Sequence, residues 1–283
     1  MITDCFSFFN ELELLDIRLN TLDPYVDKFV LVEAAKTQTL KDKPFVFDEN
    51  KEKFNKFLNK IIHVRLEKES CPTGDFQQVN HDWGMENFQR NGAMVGIKSV
   101  PMEPDDIVLI SDLDEIPNLE EVETNIERIK REQITSFTQN TFSYFLNMQC
   151  FDIGDGGDEM RKISRHSLGV VRSVLNVYSP QELWSVRNTA ADHQTPRGWH
   201  FSFMGGPEKV REKSLSCIEP FDKSDVPSEE EMERIFNRRV FEEGFWNINH
   251  PDDNSVKVRK IMDESILPDH VTNNRDKYPK LFC

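Results

Sequence analysis

A chain of 283 residues that is 37% hydrophobic and 30% charged can bury one sizeable core, and its composition excludes both a disordered and a membrane-embedded protein. Fifty acidic against thirty-five basic side chains leave a formal charge of -15, which repels a nucleic acid backbone and excludes nucleic acid as a general partner. A phosphate-bearing ligand would therefore need a metal ion or a few well-placed basic side chains.

Residues 2–9 read as a strand. Asn10 with Glu13 three residues on resembles a capping box, and Leu12, Leu15, Leu19 and Leu22 then recur at helical spacing. After Pro24 the apolar run 28–34 has the character of a strand buried on both faces of a parallel sheet. A strand at 61–66, a helix at 85–97 and the strand 106–111 follow, the last being the clearest buried strand in the chain. Asn118 with Glu121 predicts another capped helix, with Val122, Ile126 and Ile129 on its apolar face. Beyond about residue 135 the rhythm changes to strand-like segments at 136–147 and 198–204 around a Gly- and Asp-rich loop at 152–159. Ser228 with Glu231 opens an acidic helix that Gly244 can end. Alternating strands and helices imply an α/β fold with a mostly parallel, Rossmann-type sheet flanked by helices, whose ligands gather at the C-terminal strand ends.

Five cysteines without a paired short spacing argue against a disulfide framework or a structural zinc site. No leader-like segment and no apolar run of about 18 to 20 residues is seen, so the expectation is a cytoplasmic chain without a transmembrane segment.

The sharpest chemical signal is Asp112-Leu113-Asp114-Glu115, where the strand 106–111 runs out. In an extended chain Asp112 and Asp114 point to one side, and two neighbouring carboxylates at a sheet edge call for a cation. Oxygen ligands suit Mg²⁺ or Mn²⁺, ions that keep positions for water or substrate phosphates. The competing reading is that these acids only favour a helix N-terminus. In Gly198-Trp199-His200-Phe201-Ser202, alternation puts His200 and Ser202 on one face, which offers an imidazole to a polar site. Asn10, Glu11 and Glu33 close the first two strands, where a base or ribose would rest. Arg90 and Asn91 can reach diphosphate oxygens.

The segments 4–18, 26–34, Trp83-Gly84-Met85-Glu86-Asn87-Phe88-Gln89-Arg90-Asn91, Ile110-Ser111-Asp112-Leu113-Asp114-Glu115-Ile116-Pro117 and Gly198-Trp199-His200 together resemble glycosyltransferase family 17, the group containing β-1,4-mannosyl-glycoprotein N-acetylglucosaminyltransferases. The resemblance implies a single GT-A-like domain over 1–283, with a nucleotide-sugar-binding half at 1–117 and an acceptor and catalytic half with C-terminal helices at 118–283. It implies a UDP-sugar donor, UDP-GlcNAc in the known members, inversion at the anomeric carbon, and an acceptor glycan as partner. It also implies Asp112, Asp114 and His200 as ligands of Mn²⁺ or Mg²⁺. The base that deprotonates the acceptor is then sought among Glu208, Asp155 and Asp158. Two rivals use the same residues differently. A metal-dependent nucleotidyltransferase or phosphohydrolase would employ the paired carboxylates, and a non-catalytic glycan-binding protein would employ Trp83, Trp184, Trp199 and Trp246 as stacking platforms.

Overall fold

In the computed structural model of the chain, the structure describes residues 1–80, 83–154, 157–218, 222–244 and 255–283, without the side chains of residues 78, 80 and 191–195. The elements in chain order are β1 (Ile2–Phe8), α1 (Leu12–Leu22), β2 (Lys28–Ala34), α2 (Val46–Asn50), β3 (Ile61–Leu66), α3 (Phe76–Asn80), α4 (Gly84–Ser99), β4 (Ile107–Asp112), β5 (Glu115–Ile116) and α5 (Val122–Glu132). They continue with β6 (Ile134–Ser143), β7 (Met148–Ile153), β8 (Glu159–Arg161), β9 (Ile163–Val171), α6 (Pro180–Ser185), β10 (Ala191–Ser202), α7 (Gly206–Ser216), α8 (Glu229–Ile235), β11 (Val256–Lys260) and α9 (Asp269–Asn273). Two compact units interleave in sequence: Met1–Gln139 with Arg165–Gly198, and Asn140–Ser164 with Trp199–Cys283.

The first unit is built on strands in the order β6-β9-β4-β1-β2-β3. The pairs β1–β2, β2–β3 and β1–β4 are parallel, and β9 joins β4 antiparallel. This is the α/β, GT-A-like arrangement that the alternating elements imply, with a mixed sheet flanked by helices. Its apolar runs are buried because helices cover them. Val30, Val32, Val64, Val108 and Ile110 share one core cluster with Met85, Ala93 and Ile97 of α4. Helix and sheet approach so closely at Gly96 that a Cβ there would lie 2.4 Å from Val30 Cγ1 and 2.9 Å from Val64 Cγ2.

Two helix starts differ from the sequence expectation. The capping box at Asn10 does not form: α1 begins after Glu11, which caps with no side-chain bond. The Asn10 carbonyl accepts the Leu12 N–H at 3.0 Å, and the Asn10 backbone N–H donates to Glu11 Oε2 at 3.1 Å. Asn118 likewise does not cap α5. Its Oδ1 accepts the Glu120 N–H at 2.9 Å in a local turn, and the helix starts later with Glu121 at its cap.

In the second unit β11 and β8 both pair antiparallel with β7. Tyr144, Met148, Cys150, Val210, Met232, Phe236, Val240 and Val258 form its core cluster. Ser228 caps α8 through the Glu231 N–H as its sequence implies, a π-helical segment Phe236–Glu242 continues it, and Gly244 ends it at φ +70°. All five cysteines are free thiols. Among the described residues no helix is long and apolar enough to cross a membrane.

Because α4 sits on β2 and β3 with no space for a side chain at position 96, Gly96→Val is expected to lose about 1 to 3 kcal/mol or more of stability. Urea unfolding of the variant against the parent protein checks this.

Candidate active site

The chain leaves β1 toward β2 and β3 on one side and returns to β4 on the other, so strand order reverses between β1 and β4. In an open parallel sheet that reversal opens a crevice at the C-terminal strand ends, where ligands bind. Ser7 and Asp112 are paired across it. Phe9, Asn10 and Glu11 follow β1, and Leu113 and Asp114 follow β4, so the acidic motif lies at this switch point.

The motif is a turn and not the extended stretch the sequence suggests. Leu113 and Asp114 form the turn between β4 and β5, so strand alternation does not align Asp112 with Asp114. Asp114 is 9% exposed, whereas the Asp112 side chain keeps 35% of its surface open. One buried arginine holds the turn. Arg18 of α1 donates from Nε and Nη2 to the two Asp4 oxygens at 2.8 and 2.7 Å, and from Nη2 to Ser111 Oγ at 2.6 Å. Its Nη1 reaches the carbonyl oxygens of Asp112, Leu113 and Glu115 at 2.9, 3.1 and 3.0 Å. The guanidinium also lies 4.6 Å from the Phe6 ring centroid. Glu115 closes the turn from the other side, accepting the Asp112 N–H on Oε2 at 2.8 Å and meeting His166 Nδ1 with Oε1 at 2.7 Å. Burial opposes a charge on His166, but the touching Glu115 carboxylate outweighs it and raises the imidazole pKa. Ser167 donates to the Glu115 carbonyl at 2.8 Å and accepts from Gln139 Nε2 at 2.7 Å.

Beside this turn, α4 and α6 assemble a basic and aromatic cluster. Ser179 and Glu182 form a full capping box for α6, with Pro180 in its first turn. The Gln181 N–H donates to Asn91 Oδ1 at 3.0 Å. Arg90 is 3% exposed. Its Nη2 spans the Asp112 oxygens at 3.0 and 3.1 Å, and its Nη1 donates to Glu86 at 3.0 Å and to Gln181 Oε1 at 2.6 Å. Burial works against this charge, and Asp112 and Glu86 more than compensate, so Arg90 holds its proton more tightly than usual. Glu86 is shifted upward by the same burial, in spite of Arg90. The guanidinium carbons of Arg90 and Arg187 lie 3.9 and 3.3 Å from the Trp184 ring centroid.

The other residues singled out in the sequence fare unevenly. Asn10 and Glu11 are half-buried at the switch point. Glu33 is not open to a ligand: it is fully buried, and Lys43 Nζ, the Val46 and Phe47 N–H groups and His63 Nε2 surround its oxygens at 2.6 to 3.2 Å. It latches the segment 36–47 and the start of α2. Asn91 is exposed, and its Oδ1 accepts the Gln181 N–H at the start of α6. In the second unit, His200 lies 3.4 Å from Ser164 Oγ through Nδ1. The alternation read for its strand holds there, with Trp199 and Phe201 buried and His200 and Ser202 half-buried. Glu208 is exposed in the first turn of α7, where the helix dipole favours an acid. Asp158 is exposed and its carbonyl accepts the Gly154 N–H, while Asp155 lies outside the described residues. Of the four tryptophans, Trp199 is a core residue whose Nε1 donates to the Ile266 carbonyl at 2.6 Å, and Trp246 lies outside the described residues.

Sequence reasoning did not single out Arg18, His166, Gln181 or Arg187 as site residues. Only Ser179-Pro180-Gln181-Glu182, a capping-box signature with Pro at the first helical position, could have revealed α6.

Residues 1–131 match the model of glycosyltransferase family 17. The match supports assigning the chain to that family. It supports an activity at the level of glycosyl transfer, with a sugar donor and an acceptor as reactants. No curated relative matches the chain. The matched segment includes β1, Arg18, Arg90 and the whole Asp112–Glu115 turn.

Asp112 and Asp114 place two carboxylates on one short turn, the oxygen-donor chemistry that Mg²⁺ or Mn²⁺ prefers, with Arg90 spanning the Asp112 oxygens and about a third of that side chain exposed.

Removing Arg18 leaves the buried Asp4 carboxylate uncompensated and three carbonyls without a donor. Arg18→Met is expected to cost about 3 to 5 kcal/mol, and Arg18→Lys to stay destabilised because an ammonium cannot reproduce the planar fork. Chemical denaturation checks both, and adding Asp4→Asn to Arg18→Met should recover part of the loss.

Proposed function

We propose that the chain is an inverting, metal-dependent glycosyltransferase that moves GlcNAc from UDP-GlcNAc onto a hydroxyl of an acceptor glycan. The observation that supports this reading is the position of Asp112 at the β1–β4 switch point, on a turn locked by Arg18 and next to an arginine–tryptophan cluster. That crevice is where an α/β sheet receives a nucleotide.

In this reading Asp112 and Asp114 hold Mn²⁺ or Mg²⁺, and Asn10 and Glu11 border the nucleoside. When bound, the ion offsets charge on the departing diphosphate. Arg90, held by Glu86, Gln181 and Trp184, fixes the orientation of the Asp112 carboxylate at the same place. The acceptor oxygen attacks the anomeric carbon as the bond from that carbon to the phosphate oxygen breaks, and UDP leaves on the opposite face. The acceptor's proton passes to a carboxylate, for which Glu208 ranks ahead of Asp158 and Asp155.

Thermal unfolding with UDP and Mn²⁺, singly and together, tests the donor and the metal. Stabilisation of about 2.7 kcal/mol is expected at a hundredfold excess over Kd, and only when both are present. Preference for nucleoside triphosphates would move the assignment to nucleotidyl transfer, and sugar binding indifferent to both additives would make the chain a lectin. Asp114→Ala is expected to abolish Mn²⁺-dependent UDP release with the unfolding transition preserved, and unchanged release would reject the metal role. Glu208→Gln should retain donor affinity while turnover falls about 10² to 10⁴-fold. Full turnover would pass the role to Asp158 or Asp155.

A further inference from the structure

Arg90 and Arg187 share one indole but differ in how their charges are met. Arg90 is compensated by Asp112 and Glu86. Arg187 has no carboxylate within ion-pair distance among the described residues. Its Nη1 donates to the Trp184 carbonyl at 3.0 Å, and its guanidinium carbon stacks 3.3 Å from the Trp184 ring centroid. Burial depresses its pKa, the Glu115 charge opposes that shift from a distance, and neighbouring Arg90 depresses it further. A half-buried cation beside another cation is costly unless an anion completes it. Three buried donors in this cluster also lack an acceptor: Arg90 Nε, Arg187 Nε and Trp184 Nε1. In native interiors such groups call for a partner.

We propose that Arg187, held on Trp184, is a binding residue for the diphosphate of the nucleotide donor. The inference rests on the glycosyltransferase reading and adds to it a residue beyond the matched segment 1–131. A neutral sugar cannot offset an unpaired guanidinium, whereas a diphosphate carries several charged acceptors and matches the planar fork of arginine. Stacking on the indole fixes the guanidinium before the ligand arrives, so little side-chain entropy is lost on binding. The nearby Asp112 turn places the cluster at the crevice where the donor is expected.

Calorimetric titration of the Mn²⁺-loaded full chain with UDP and with uridine tests the assignment. Arg187→Gln is expected to weaken UDP binding about tenfold or more while leaving uridine affinity unchanged, and Arg187→Lys to recover only part of the loss. If the Gln variant does not fold, the ratio of UDP to uridine affinity in Arg187→Lys is the readout, and a ratio equal to the parent's overturns the proposal. Undiminished UDP binding by Arg187→Gln, or equal loss toward UDP and uridine, overturns it and leaves the transferase reading standing. A parent protein that fails to bind UDP at all would overturn both.

Discussion

The Arg18 guanidinium ties the first helix, the first strand and the acidic turn together at one buried point. It forms a two-pronged ion pair with Asp4 and reaches the carbonyls of Asp112, Leu113 and Glu115. Fully buried charge is costly in itself, and here each nitrogen is matched by acceptors, which makes the arrangement specific to one turn geometry. Because the acceptors on the turn are main-chain atoms, Arg18 fixes the path of the backbone, and the Asp112 carboxylate is met by Arg90 instead. Glu115 completes the restraint by taking the Asp112 N–H and gripping His166.

Around that fixed turn the charges are arranged against the global field. A chain of formal charge -15 repels anions at long range, yet the switch point carries Arg90 and Arg187 stacked on Trp184. Screening limits the reach of the surface acids to about 8 to 10 Å in physiological salt, so the field at the turn is set by Arg90, Arg187 and the carboxylates beside them. Asp112, Glu86 and Glu115 raise the Arg90 pKa in spite of burial, whereas burial and neighbouring Arg90 lower that of Arg187. On the proposed reading, a phosphate-bearing donor meets the Arg187 guanidinium and a metal ion at this point.

Hydrophobic pattern made much of the first unit legible. The runs at 28–34, 61–66 and 106–111 and the helix at 85–97 correspond closely to β2, β3, β4 and α4, because strands buried on both faces leave uninterrupted apolar stretches. The acidic motif was found at the right strand end, but its shape was not, since a strand-end tetrapeptide does not reveal whether the next residues extend or turn. The cap failed at Asn118 because its side chain engages Glu120 in a local turn before the helix begins, and at Asn10 the helix simply starts one residue later, after Glu11. Glu33 was read as lining a base or ribose site because it ends an apolar strand, and its four donors come from segments whose docking no local pattern shows. Arg187 and His166 escaped notice because they lie far along the chain from the Asp112 turn.

The account centres on a divalent ion held by Asp112 and Asp114 against the donor diphosphate at the β1–β4 switch point. Anomalous diffraction at the manganese edge, from crystals grown with MnCl₂ and UDP, tests it most directly. A peak about 2.0 to 2.2 Å from a carboxylate oxygen of this turn, with diphosphate density alongside, is the predicted result. Ordered UDP without a metal peak at the turn, or a peak that avoids both aspartates, would contradict the account.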